Sequence, residues 1–446
     1  MTGAVAASPP RGAAPPASRL RETALSWAPI AAIVAGFLAL AFSYSVQVPV
    51  YEAPDEIAHA QYANFLATHT RLPDIPQSYE GWQPPLYYAV GGLALRALGL
   101  DSLPSLEVNP SRGAESNFYF HTADESFPYS DPALAVHVLR WITALFGAAT
   151  LVVVYLTALL LFPQRKLLAF SAAATAGLVP QFAFMSGSVD NDMPAVFFAS
   201  LVTYFGLRLL KEGHVVWGLG AAVALSLGGL TKTTALWSGV VPLLAIFMSP
   251  APWPRRGQML SLLIALPLST AGLFQLRNLI IWGDVWPGDL IGGSRPLDLW
   301  DPAYRRVFLG LVRESYWYMG GWMSVKLSPI IHDALNVISV LALGGVIVAF
   351  VSNQLSAFQR QGLLLLGLLC VVALLCIVYV GVRMDFQPQG RYLFVAQPGF
   401  AILFTLGLGA LFSRDVRVDH PMTLALPLVL IAVNVSIFTI NLPRAY

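Results

Sequence analysis

A short polar segment directly after the first apolar stretch contains the side chains best suited to chemistry. It reads Tyr-Glu-Ala-Pro-Asp-Glu-Ile-Ala-His over residues 51–59. The proline predicts the start of a helix, and on this helix Asp55, His59 and Tyr62 lie on one face. Glu56 also lies one turn from His59. Two carboxylates and an imidazole are therefore expected to meet at the boundary between membrane and water.

This group of side chains offers two kinds of chemistry. The carboxylates Asp55 and Glu56 are candidate catalytic residues, because such a cluster can supply a general base. Glu56 and His59 are candidate ligands for a divalent cation such as Mg²⁺, Mn²⁺ or Ca²⁺. In the alternative interpretation, Asp55 and Glu56 only complement the N-terminus of the helix. Local spacing leaves both interpretations open.

A second segment, residues 82–88, reads Trp-Gln-Pro-Pro-Leu-Tyr-Tyr. Its two prolines stiffen the entry into a short helix, and Gln83 and Tyr87 are predicted to contact a substrate. The alternative is that the paired tyrosines anchor an interfacial helix at the membrane surface.

The other candidate residues lie in short polar stretches next to apolar runs. Lys232 lies between two such runs, where a cation must pair or extend toward water. Arg383 and Arg391 suit a lipid phosphate, because guanidinium binds phosphate through two hydrogen bonds; pairing with headgroups or with Asp385 is the alternative. The full set of substrate-binding candidates outside the first two segments is Asp190, Asp192, Lys232, Arg277, Arg383, Arg391 and Tyr392.

The composition shows which kind of fold must position these residues. The chain has 446 residues, of which 56% are hydrophobic and only 11% are charged, with a mean hydropathy of +0.65. Soluble domains carry about 25% charged residues, and apolar runs of about 20 residues are typical of membrane helices. The sequence therefore predicts an all-α polytopic membrane protein and excludes soluble enzymes, disulfide scaffolds and nucleic-acid-binding proteins.

The apolar runs predict about eleven transmembrane helices. They lie near residues 24–46, 133–162, 167–184, 193–210, 215–231, 233–250, 259–281, 329–351, 362–381, 393–412 and 422–441. The shorter run at 86–98 is interrupted by Gly91, Gly92 and Arg96, which favours a re-entrant or interfacial helix. Residues 24–441 are predicted to form a single transmembrane domain.

Charge predicts the orientation of this domain. Residues 1–23 are expected to form a disordered cytosolic tail, and the predicted inner segments carry twelve basic and only four acidic residues. This places the N-terminus in the cytosol. It places outside the loops 47–132 and 282–328, the tail 442–446 and the short polar stretches 188–192, 231–234 and 383–391. All candidate site residues then face the exterior. No internal repeat is visible, which weighs against a transporter.

In order and sidedness, these motifs resemble the GT-C superfamily of membrane glycosyltransferases, in particular the aminoarabinose transferases, the protein O-mannosyltransferases and a related bacterial family of unknown function. The resemblance covers about residues 24–400. It rests on Asp55-Glu56, on the segment 83–88, on Val138-Leu139-Arg140-Trp141, on Lys232 and on Arg277-Asn278. Two departures stand out: Gln83 replaces a basic residue that often precedes Pro-Pro-Leu, and about 35 residues are inserted near 99–132.

The resemblance implies a function and a location. Asp55 would be the general base of an inverting sugar transfer from a polyprenyl-phosphate-linked donor to the hydroxyl of a lipid, glycan or protein acceptor. Lys232, Arg391 and Arg383 would stabilise the leaving phosphate, and Glu56 and His59 would orient the acceptor or a metal ion. The protein would lie among the lipids of a bacterial plasma (inner) membrane. A lipid-linked glycan ligase or polymerase is the main alternative, and a lipid-linked sugar flippase a weaker one.

Overall fold

The described part of the chain is mostly helical. A computed structural model describes residues 16–75, 77–111, 117–285, 287, 300–383, 388–413 and 415–446; the side chains of 16–26, 382 and 383 are outside this description. Of the tail that was predicted to be disordered, residues 1–15 also lie outside it. Residues 16–23 instead belong to the first helix.

Seventeen α-helices are described. They are α1 Pro16–Gln47, α2 Glu56–Thr68, α3 Leu86–Leu98, α4 Asp131–Leu161, α5 Lys166–Leu178, α6 Pro180–Ser186, α7 Asp192–Glu212, α8 Val215–Gly229, α9 Val240–Met248, α10 Trp253–Pro267, α11 Leu273–Trp282, α12 Pro302–Trp317, α13 Pro329–Val351, α14 Ala357–Arg383, α15 Gln397–Phe412, α16 Ala425–Ser436 and α17 Leu442–Ala445. Short 3₁₀ helices occur at Ala123–Glu125, Thr233–Gly239, Gly390–Ala396 and Pro421–Leu424, and π-helical turns at Leu268–Gly272 and Ile437–Asn441. The strands Met319–Gly320 (β1) and Val325–Lys326 (β2) form an antiparallel pair.

Within the described ranges, eight helices are long and apolar enough to cross a membrane, or nine if α5 and α6 form one bent span. The bend between α5 and α6 is 64° and falls at Pro180, which lacks the backbone N–H that would continue the helix. Two of the eleven predicted spans are shorter than a bilayer requires: α8 has 15 residues, and the next run is divided between the 3₁₀ helix Thr233–Gly239 and α9. In the described ranges, helix length therefore supports eight or nine transmembrane helices instead of the eleven that the sequence predicts.

Helix α2, at whose start the first polar segment lies, packs against α3, and α3 packs against α4. A Cβ on Gly92 of α3 would meet Ala63 O of α2 at 2.8 Å, so only glycine allows the two helices this close. Arg96 Nε donates to Ala67 O at 2.7 Å, which satisfies a carbonyl at the end of α2. The 13-residue α3 is not among the helices long enough to span.

The inserted segment near 99–132 is held against the loop that leads into α2. His121 Nε2 lies 3.1 Å from Glu52 Oε1, and its Nδ1 lies 2.9 Å from Glu125 Oε2. Burial lowers the pKa of His121, but its hydrogen bonds to Glu125 and Glu52 outweigh this and raise the pKa to about 9. His121 is therefore a cation at neutral pH that joins the two acidic residues. From the segment between β1 and β2, Trp322 Nε1 donates to Tyr51 O at 3.2 Å.

Candidate active site

Asp55 occupies a strained position at the entrance to α2. Its φ is +64°, in the left-handed region that residues other than glycine rarely adopt. Its carbonyl accepts from the N–H groups of Ala58 and His59 at 3.0 and 3.1 Å and so begins the helix. Its side chain, however, makes no hydrogen bond that caps the helix. Such strain is typical of functional residues, and the carboxylate is directed away from helix capping.

The Asp55 carboxylate joins an ion cluster formed by Asp55, Asp190, Asp192, Lys232 and Arg391. Arg391 Nη2 lies 2.8 Å from Asp55 Oδ2, and its Nη1 lies 3.1 Å from Asp190 Oδ2. Its Nε lies 3.5 Å from Asp192 Oδ2. Lys232 Nζ lies 2.5 Å from Asp192 Oδ1. The charge distribution along the chain predicts these residues on one face of the membrane, and the fold brings all five together in one cluster.

Burial divides the ion cluster into a closed interior and one open edge. The side chains of Arg391, Asp190 and Asp192 are 3%, 0% and 5% exposed, whereas that of Asp55 is 36% exposed. The ring of Tyr392 lies 5.5 Å from Lys232 Nζ and 5.5 Å from Arg391 Cζ. A positive charge near the face of an aromatic ring is attracted to the ring electrostatically. Asp55 is therefore the carboxylate of the ion cluster most accessible to a substrate.

The electrostatics of the ion cluster keep Asp55 ionised. Partial burial raises the pKa of Asp55, but the positive charge of Arg391 outweighs it and holds the pKa below its ordinary value. Burial and the adjacent Asp192 carboxylate raise the pKa of Asp190 to about 7. Asp55 thus carries its charge at neutral pH.

His59 of α2 lies next to the ion cluster, and Tyr62 lies one turn further along α2, against Tyr88. His59 Nδ1 lies 2.8 Å from Tyr88 Oη, and the rings of Tyr62 and Tyr88 stack with centroids 3.9 Å apart. Burial lowers the pKa of His59 to about 3, with Lys232 adding to the effect. The imidazole is therefore neutral at neutral pH and can donate or accept a hydrogen bond beside Asp55.

Gln83 belongs to a second polar network, next to the ion cluster, that includes residues absent from the prediction. Its amide N–H donates to Glu80, and its carbonyl oxygen accepts from Asn191 Nδ2. Asn191 Nδ2 also donates to Tyr88 Oη at 3.1 Å. Burial and Asp55 raise the pKa of Glu80 to about 8. The only sequence feature that indicated Glu80 was its position three residues before Gln83.

Glu56 has different partners from those predicted. Arg140 Nε and Nη2 each donate to Glu56 at 2.7 Å. The backbone N–H groups of Tyr51 and Val189 donate to the same carboxylate at 2.9 and 2.8 Å. With both side chains fully buried, Glu56 has no free oxygen for an acceptor or a metal ion. This corrects the catalytic and metal-binding assignment of Glu56: the residue positions the loop next to Asp55.

Two other predicted residues, Tyr87 and Arg277, do not join the ion cluster, and the prediction for Arg383 falls outside the described side chains. Tyr87 Oη is paired with Thr143 at 2.8 Å, so Tyr88 and not Tyr87 faces His59. Arg277 lies on α11 with its guanidinium 4.9 Å from the Trp282 ring. Arg383 ends α14, and its side chain lies outside the described residues.

Within the described part of the chain, no group of three or more His, Cys, Asp or Glu residues could hold a metal ion. His59 contacts a tyrosine, and Glu56 is saturated by Arg140. The metal site predicted at Glu56 and His59 therefore has no geometric support in the described residues.

Helix α12 sets the position of Arg391 through the preceding glycine. Gly390 N donates to Ser315 Oγ at 2.7 Å. A Cβ on Gly390 would overlap Tyr316 N and Val312 O. The backbone that carries Arg391 therefore lies directly against α12, which only glycine permits.

Replacing Gly390 with Ala would displace the backbone that carries Arg391. We expect this to lower the turnover number of folded protein by about 10–100-fold, because a displacement near 1 Å of an active-site group has a cost of this size. Gly367→Ala is the matched control, since a Cβ at Gly367 meets nothing within 4 Å. The measurement is the turnover number in detergent. Equal turnover of the two variants would contradict a positioning role for Gly390.

Sequence comparisons place part of the chain near a known family. Residues 135–282, about a third of the chain, match the family described as dolichyl-phosphate-mannose-protein mannosyltransferase. This match begins within α4 and ends with α11, so it includes Asp190, Asp192 and Lys232. No curated protein matches the chain in sequence.

The fold is similar to that of ArnT from Cupriavidus metallidurans. The apo crystal structure of ArnT gives a TM-score of 0.50 at 16% identity over 86% of this chain and 60% of ArnT. ArnT bound to undecaprenyl phosphate gives a TM-score of 0.52 at 15% identity over 91% of this chain and 63% of ArnT. The chain thus spans less than two thirds of the length of ArnT. The family match and the shared fold confirm the resemblance to the GT-C superfamily of membrane glycosyltransferases.

Proposed function

We propose that the protein transfers a sugar from a polyprenyl-phosphate-linked donor to an acceptor hydroxyl, with Asp55 as general base. The observation that carries this proposal is the contact of Asp55, a partly exposed carboxylate, with the buried cation Arg391. A base and a phosphate-binding cation must lie side by side when the acceptor attacks a carbon that is bonded to phosphate. The undecaprenyl phosphate bound to the similar fold of ArnT supports a lipid phosphate as the carrier.

The proposed reaction is a single displacement. The acceptor oxygen bonds to the anomeric carbon while Asp55 takes its proton. The bond between this carbon and the phosphate oxygen breaks, and the electron pair stays on the phosphate. The transition state has oxocarbenium character, and the configuration at the anomeric carbon is inverted.

The leaving phosphate gains negative charge, which preorganised cations stabilise. Lys232 and Arg391 are suited to this role because they are held at the closed side of the ion cluster. Arg277 is a further candidate, since it forms no ion pair with an acidic residue among the described side chains. The next residue, Asn278, joins α11 to the loop before α3, because its Nδ2 donates to Trp82 O at 2.7 Å.

The proposed location is a bacterial inner membrane, with the N-terminus in the cytosol and the ion cluster facing the exterior. The excess of basic residues in the predicted inner segments supports this orientation. Activated nucleotide sugars are scarce outside the cell, so a donor delivered by the membrane suits an outward-facing site. The acceptor is a lipid, glycan or protein that reaches the site from that side.

A panel of radiolabelled donors tests the function. Purified protein in detergent is incubated with sugars linked to polyprenyl monophosphate or to polyprenyl diphosphate, and membrane extract supplies the acceptor. We expect label transfer from a monophosphate-linked sugar. Transfer from diphosphate-linked glycans alone would favour a glycan ligase or polymerase. Movement of donor across reconstituted vesicles without transfer would favour a flippase.

A further inference from the structure

The cations that would bind the donor phosphate are already engaged with carboxylates. Arg391 contacts Asp55, Asp190 and Asp192, and Lys232 contacts Asp192. Two cations thus face three acidic side chains inside a largely buried site. A phosphate that enters this site adds negative charge, and unbalanced charge in a buried site is costly. This cost is reduced if one carboxylate gives up its cation to the phosphate.

Asp55 is the carboxylate held least firmly by the protein. Its one hydrogen bond among the described side chains is the contact with Arg391 at 2.8 Å, and it is 36% exposed to solvent. Asp190, in contrast, accepts from both Arg391 and the backbone N–H of Asp192. Asp192 is paired with Lys232. Asp55 can therefore be released to water, whereas Asp190 and Asp192 stay buried.

Resting on the function proposed above, we propose that the donor phosphate displaces Asp55 from Arg391, so that Asp55 becomes a free base only once the donor is bound. Asp190 and Asp192 act as positioning residues that hold Arg391 while its Nη2 changes partner. No covalent bond changes in this step. It requires the donor to bind before the acceptor loses its proton.

The exchange also gives Asp55 the basicity that its role requires. The groups that face Asp55 are Arg391 from the segment before α15, Lys232 from the loop after α8, His59 from α2, and the acidic residues Glu80, Asp190 and Asp192. Arg391 is the cation in direct contact with Asp55. Once it turns to the phosphate, the carboxylate loses the charge that made it a weak base, and a base is most effective when its pKa lies near the working pH.

Binding of undecaprenyl phosphate without any sugar tests this displacement independently of turnover. Asp55→Asn removes the charge that competes with the probe for Arg391. We therefore expect this variant to bind the probe about tenfold more tightly than wild type, because one charge-assisted hydrogen bond changes an affinity by about this factor. Arg391→Gln is expected to bind more weakly. In the double variant Asp55→Asn/Arg391→Gln, the gain from Asp55→Asn should vanish, because coupled residues are non-additive.

Asp419→Asn is the matched control, because Asp419 faces a second buried arginine, Arg165, outside the ion cluster. Its affinity for the probe should equal that of wild type. Asp55→Ser, which also lacks the charge, should bind as tightly as Asp55→Asn and guards against a folding defect in either variant.

Two results would overturn the displacement but leave the proposed donor class standing. In the first, wild type binds the probe and the Asp55 variants bind it no more tightly. In the second, Asp55→Asn still increases the affinity when Arg391 is replaced by Gln. Absence of binding to wild type and to every Asp55 variant would instead overturn the proposed donor class, and this inference with it.

Discussion

Arg391→Lys is expected to lower the turnover number for sugar transfer by about 10²–10³-fold, the usual cost of losing one preorganised donor in an active site. The Arg391 guanidinium contacts Asp55 and Asp190 through two different nitrogens and approaches Asp192 through a third. A lysine ammonium is a single point charge, so it cannot contact three carboxylates through separate nitrogens as the planar guanidinium does. The rate is measured as label transfer at saturating donor in detergent.

The matched control for this prediction is Arg165→Lys. Arg165 is also a buried arginine next to an aspartate, with Nε 3.5 Å from Asp419 Oδ1, but it lies outside the ion cluster. Its replacement should leave the turnover number of folded protein unchanged. Full transfer by Arg391→Lys, or an equal loss in Arg165→Lys, would contradict the role of Arg391.

Arg140→Met is expected to reduce the free energy of unfolding by about 3–5 kcal/mol, the range for breaking a buried ion pair from one side. Arg140 donates to both oxygens of Glu56, and it also donates to Ser45 O, Val48 O and Pro49 O at 2.6, 2.8 and 2.9 Å. Its removal leaves a buried carboxylate without a counterion and three carbonyls at the end of α1 without their donor. Denaturant unfolding in detergent measures the loss.

A second substitution separates the uncompensated charge from the lost packing. The double variant Arg140→Met/Glu56→Gln has no buried charge at this position, so it should be more stable than Arg140→Met. A loss below about 1 kcal/mol in the single variant, within the range of an exposed pair, would contradict the account. So would a double variant less stable than the single one.

The convergence of Asp55, Asp190, Asp192, Lys232 and Arg391 was predictable because apolar spans force polar stretches to one face or the other. Charge bias and alternation of spans placed all five on the same side, although the chain separates Asp55 from Arg391 by more than 300 positions. No side-chain contact had to be known for this inference. The inference followed from the alternation of apolar spans across the membrane and from the charge of the segments that connect them.

Neighbouring residues could not be distinguished in the same way. Asp55 and Glu56 are adjacent, and only the fold reveals that Arg140, 84 positions away, takes Glu56. Tyr87 and Tyr88 are also adjacent, and the rotation of α3 decides which of them reaches His59. Such choices depend on tertiary partners that local spacing does not contain.

The number of spans was predicted less well because hydropathy does not register a change of helix type. The run 233–250 is apolar throughout, yet its first turns form the 3₁₀ helix Thr233–Gly239. Thr233 and Thr234 follow Lys232, whose charge is held by Asp192. The break in the helix thus accompanies the contact that places Lys232 in the ion cluster.

The role of Asp55 is tested most directly by comparing label transfer by wild type and Asp55→Asn with the same polyprenyl-phosphate-linked sugar. Removing a general base lowers rates by about 10²–10⁴-fold, and Asp333→Asn, on the helix α13, serves as a control outside the ion cluster. The account predicts transfer by wild type and by the control, and its loss in Asp55→Asn even though that variant still binds undecaprenyl phosphate. Transfer by Asp55→Asn at the wild-type rate would contradict it.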